Sequence, residues 1–147
     1  MTNKKLMIAG AIGVALATAA AGGAAWAHHA FAAEFDGKAP VLLRGKVTRV
    51  EWINPHAWVH VKDTATGQDW MVEGGTPNTL LRAGIDRNSL KPGTEIIVRG
   101  YQSKDKLCRP ECKANGRDVT FPDGKKLFMG SSGTGAPTDG SDPTEKK

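Results

Sequence analysis

The chain lacks the marks of a catalytic protein. It carries no Gly-x-Ser-x-Gly elbow, no glycine-rich phosphate loop and no convincing pair of carboxylates, so nucleophilic hydrolysis and nucleotide chemistry have no visible apparatus. The absence of Cys-x-x-Cys removes the thioredoxin type of redox motif. Charge of one sign is also scarce. The formal net charge is +5, with acidic and basic residues interspersed along the chain, a balance too mild to favour nucleic acid as a partner. No cysteine lies near residue 27 and no twin arginine precedes it, which argues against a lipid anchor and against twin-arginine export.

What is present begins with a leader. Lys4 and Lys5 precede an uncharged stretch from Leu6 to Ala21, and Ala25-Trp26-Ala27 supplies the small-x-small pattern that signal peptidase accepts. Residues 1–27 are therefore expected to be a signal peptide, whose removal takes Lys4 and Lys5 away and lowers the charge from +5 to +3. The competing reading is a membrane-anchoring helix, since Leu6 to Ala27 is just long enough to span. Its Ala and Gly make it weakly apolar, and no positive cluster follows it. The expected location is the periplasm or the medium, with no stable membrane insertion after cleavage. Residues 28–40 read as an N-terminal arm and 41–130 as one compact domain. Residues 131–147, rich in Gly, Ser, Thr, Pro and Asp with Ala136 the single apolar side chain, read as a disordered tail.

Inside the domain the apolar pattern is that of strands. Val41, Leu43, Gly45 and Val47 share one parity, while Val50 and Trp52 take the other. One extra residue near Thr48-Arg49, a β-bulge, restores a continuous inner face. Asn54-Pro55 makes a turn before a second strand, His56 to Lys62, and Gln68 to Glu73 forms a third. Thr76-Pro77 reads as a cap and first helical position, with Gly84 closing a short helix. Glu95 to Tyr101 is a fourth strand. Gln102 to Gly116 shows no sustained apolar pattern and reads as a long loop, followed by a closing hairpin turned by Asp123-Gly124. The expected fold class is mostly β: a small five-stranded OB-fold-like barrel with one short helix between strands three and four. An SH3-like barrel or a small sandwich is the alternative.

The residues that carry chemistry lie mainly at the ends of these elements. Cleavage after Ala27 makes His28 the first residue and His29 the second. A free terminal amine and the Nδ1 of an N-terminal histidine chelate one metal, and the second histidine adds its imidazole. A further imidazole completes a nitrogen-rich set suited to Cu(II), which heads the divalent affinity order. The plainer reading is a solvated arm with incidental histidines. His56 and His60 have His-x3-His spacing, but four residues of strand span roughly 13 Å, so only one of them is expected to join His28. His56, after the turn at the barrel mouth, is preferred; the plain alternative is a hydrogen bond that pins the turn. Trp58 shares a strand face with both histidines, so Trp58 and His60 are candidate ligand-binding residues, whereas two of Trp52, Trp58 and Trp70 are expected in the core. Cys108 and Cys112, exported to an oxidising compartment, are expected to form a disulfide worth about 2 kcal/mol. If reduced, the pair becomes a candidate Cu(I) site.

The run from His28 to Asp36 (His-His-Ala-Phe-Ala-Ala-Glu-Phe-Asp), Gly45 to Thr48 and Glu51 to Trp58 resemble a family of small secreted bacterial proteins of unknown function. Ser89 to Gly93 and Asp123 to Phe128 look similar to it too. The resemblance implies that His28, His29 and His56 are standing features, that an aromatic often replaces His60, and that the cysteine loop is a departure. The resulting expectation is an exported binding protein holding a copper-type ion through His28, His29 and His56. Its alternative is a metal-free barrel that binds a small ligand or a protein partner through the Trp58 face and the 108–112 loop.

Overall fold

The computed structural model describes residues 31–130. The leader, His28, His29 and the tail 131–147 lie outside the described residues.

A helical turn at residues 31–34 leads straight into β1 (Phe35–Glu51), followed by β2 (Trp58–Asp63) and β3 (Asp69–Glu73). A short helix (Pro77–Arg82) precedes β4 (Glu95–Ser103), β5 (Cys112–Thr120) and β6 (Lys126–Phe128). The helix forms where its punctuation places it. Thr76 caps it by accepting from the Thr79 amide, Pro77 opens it, and Gly84 leaves it with a left-handed φ of 85°. Among the described residues, no helix is long and apolar enough to cross a membrane.

The sheet runs β3-β2-β1-β4-β5-β6, and a parallel pairing of β3 with β5 closes five of its strands into a ring. This strand order, with a helix between β3 and β4, is that of the OB-fold. Closure depends on β1, which pairs with β2 along one edge and with β4 along the other. At Gly45 both partners approach at once; a Cβ there would stand 2.1 Å from the Lys62 carbonyl oxygen. The register shift falls between Val47 and Arg49, so Thr48 is the bulged residue. The bulge turns Val41, Leu43 and Val47 on one side of it, and Val50 and Trp52 on the other, toward one core. That core also takes Val59, Val61, Val72, Leu80, Ile96, Val98 and Val119.

Three segments depart from the expected elements. β2 starts at Trp58, so His56 lies before the strand and not on it. β1 begins at Phe35 rather than Val41, because a second apolar cluster of Phe31, Phe35 and Tyr101 holds the arm against β4. Residues 112–116, expected within a loop, form the first half of β5. They pair with β3 on one side and β4 on the other. Cys112, Ala114 and Gly116 are too small to show an apolar period, so pairing, not propensity, makes this strand.

Candidate functional site

Side chains alternate across a strand, so residues between the core positions point outward. The observed register stacks the outward residues of β1, β2, β3 and β5 in two adjoining rows. One runs Glu51, Trp58, Glu73, Asn115; the other runs Arg49, His60, Met71, Lys113. The β2–β3 part of such a face is where OB-folds hold ligands.

Two segments lie over this face. From one side comes the N-terminal turn: Phe31 packs edge-on against Tyr101 with ring centroids 5.7 Å apart, Lys104 donates to the Ala32 carbonyl, and Lys113 ion-pairs Glu34. From the other comes the loop closed by the Cys108–Cys112 disulfide, which carries Glu111 onto His60. Lys113 also stands 5.0 Å over the ring of Trp58, a cation–π contact that leaves Trp58 half-buried. Trp52 and Trp70 pack against the core.

The two histidines of this region are held differently. His60 shares the outward direction of Trp58, but the loop encloses it and its exposure is 0%. Its Nδ1 lies 2.8 Å from Glu111 Oε1 and its Nε2 lies 3.2 Å from Glu51 Oε1. Arg49 reaches the same Glu51 oxygen at 2.9 Å. Both ring nitrogens are therefore committed inside the protein.

His56, two residues before Trp58, keeps one nitrogen free. Its Nδ1 lies 3.3 Å from the Gly74 carbonyl oxygen and 3.5 Å from Glu73 Oε1. A carbonyl oxygen only accepts, so this contact assigns a proton to Nδ1, and in the neutral ring the lone pair is then on Nε2. That Nε2 has no partner among the described residues, and about a third of the side chain is exposed. The bond to Gly74 pins the turn and, in doing so, sets the tautomer.

Behind His56 sits a buried carboxylate. Burial pushes Glu73 above its ordinary pKa; Glu34 adds to the push, while His56, Lys113 and a hydrogen bond from Asn115 oppose it. The Asn115 amide donates to Glu73 at 3.5 Å. Its own Oδ1 is buried without a hydrogen-bond partner among the described residues.

The structure thus places His56 and Trp58 at one corner of the face and His60 beneath the disulfide loop. Glu73, Asn115, Glu51 and Glu111 were not singled out by the sequence. Glu73 was readable as an outward polar residue of β3, whereas Asn115 lay in a segment with no strand signal. Among the described residues, no group of three His, Cys, Asp or Glu side chains is arranged to hold a metal ion. A family model described as a family of unknown function (DUF6152) matches residues 15–109, ending inside the disulfide loop. No curated protein matches the chain.

Proposed function

The chain belongs to the DUF6152 family, whose function is unknown, and for it we propose an exported binding protein that holds a copper-type ion at its mature N-terminus. Cleavage after Ala27 frees the amine of His28. That amine and His28 Nδ1 chelate the ion, His29 adds a second imidazole, and His56 Nε2 completes a nitrogen-rich set of the kind Cu(II) favours.

The observation that carries this reading is the hydrogen bond from His56 Nδ1 to Gly74. Metal-ligating histidines donate their other N–H to a carbonyl or carboxylate, which fixes ring orientation and raises ligand basicity. Glu73, 3.5 Å from the same nitrogen, adds negative charge behind the ring. Reach supports it as well. Phe31 is seated on Tyr101, which pairs with Asn115, and Asn115 bonds Glu73 beside His56. The three residues back to His28 extend at most about 10 Å.

The test uses the chain begun at His28 and the same chain with one extra residue before it. Cu(II) affinity and the EPR spectrum are measured for each. The added residue is expected to remove most of the affinity, and Glu73→Gln to weaken binding by about 10- to 100-fold, the usual cost of losing an outer partner. Equally weak binding by both chains rejects the metal reading.

A metal-free alternative then stands, and one observation favours a ligand site for it away from the Trp58 face and the 108–112 loop. A cavity of about 530 Å³, a volume ordinary for small-molecule sites, opens between β1, β4 and the β5–β6 turn. Ile96, Ile97, Phe121 and Pro122 line it together with Arg44 and Glu95.

A further inference from the structure

One feature of the outer face is incomplete among the described residues. Asn115 is 2% exposed, yet its Oδ1 has no donor. Glu73, 8% exposed, meets His56 Nδ1 and Asn115 Nδ2 at 3.5 Å each. Both contacts are at the long limit for a hydrogen bond. The nearby Lys113 is engaged with Glu34 and lies over Trp58. A buried amide oxygen and a buried carboxylate side by side call for one group with several donors and a positive charge. A backbone N–H would satisfy Asn115 but bring no charge to the carboxylate, which Lys113 and His56 face without a short bond.

We propose that Asn115 and Glu73 form the seat of the chain's own N-terminal ammonium, created when the leader is removed ahead of His28. The α-ammonium donates to Asn115 Oδ1 and ion-pairs Glu73. Its three donors suit one amide oxygen and the two oxygens of a carboxylate. The occupant is residues 28–30 of this same chain, and the route is set by what holds the arm. Phe31 is fixed on Tyr101, the cross-strand neighbour of Asn115. Neighbouring strands lie about 4.8 Å apart, so Glu73 is only two spacings away. The inference rests on cleavage before His28 but not on copper. Without metal the ammonium is the cation beside Glu73.

The test is a double-mutant cycle in EDTA. Urea unfolding is measured for the chain begun at His28 with a free amine and for the same chain N-terminally acetylated, each with Glu73 and with Glu73→Gln. Acetylation is expected to lower the folding equilibrium constant about tenfold or more with Glu73 present, the size of a charge-assisted hydrogen bond, and less than twofold in Glu73→Gln. Equal costs in the two backgrounds overturn the proposal. Should Glu73→Gln fail to fold, one alanine added before His28 replaces it. That chain keeps the amine but displaces it, so the expected loss matches acetylation and an unchanged stability overturns the seat. Cu(II) affinity of the same proteins separates the two readings. Copper binding without coupling keeps the metal site and overturns the seat, and coupling without copper binding does the reverse.

Discussion

Asp63 ends β2 with a carboxylate that accepts from the Thr66 hydroxyl at 2.6 Å and the Thr66 amide at 3.1 Å. The hydroxyl is the largest cause holding its pKa below the usual carboxylate range. A lowered folded pKa means the unfolded chain binds the proton more readily in that window. The stabilisation is therefore present above about pH 4 and is lost as pH falls through the folded value. Thr66→Val is expected to cost about 1 kcal/mol at pH 7, and the deficit should shrink as urea unfolding is repeated toward pH 2. A deficit constant with pH would show that Thr66 acts through packing alone. His60 makes a second case. Its removal takes the bridging donor from Glu51 and Glu111 and leaves Arg49 alone to hold the two carboxylates. His60→Ala is expected to lose about 2–4 kcal/mol, whereas Glu111→Gln, which keeps an acceptor, should lose about 1 kcal/mol.

Between β4 and β5, Arg99 grips Asp118 through two bonds, Nε to Oδ1 at 2.9 Å and Nη2 to Oδ2 at 2.8 Å, with both side chains nearly enclosed. Asp118→Ala removes the two-bond carboxylate from a nearly enclosed guanidinium and is expected to cost about 3–5 kcal/mol in denaturant unfolding. A loss under 1 kcal/mol would mean that water reaches the pair. The elements on either side show how far the sequence could be read. The parity switch between Val47 and Val50 announced the bulge, and Thr76-Pro77 with Gly84 announced the helix, because each rests on a local rule. The first half of β5 had no such rule. Lys113 and Asn115 face outward and Ala114 and Gly116 are small, so the segment becomes a strand only once β3 and β4 flank it. Much of the outer face was hidden for the same reason. His56 and Trp58 stood out as residue types at a turn, but Glu73 and Asn115 became partners only through the parallel register of β3 with β5.

At the scale of the whole molecule, the N-terminal turn binds the barrel through contacts distant in sequence. Ala32 takes a bond from Lys104 and Glu34 pairs with Lys113, while Phe31 is buried against Tyr101 and Phe35. Phe31→Ala is expected to cost about 3 kcal/mol or slightly more and to speed amide exchange in residues 31–35 while leaving the core strands protected. On the copper reading it should also weaken Cu(II) binding, since the donors at 28 and 29 lose their tether. Exchange that accelerates equally in β2 and β4 would show the turn to be part of one cooperative unit.

The parallel contact of β3 with β5 has a further consequence for the order of assembly. The first of the described residues, Phe31 to Glu34, find most of their partners at Tyr101, Lys104 and Lys113, which are made late. A nascent chain that stops before Lys113 has neither a closed ring nor a counter-ion for Glu34. Docking of the front end is therefore a readout of completion, and in a protein whose contacts are this long in range it belongs among the slow, late steps of folding.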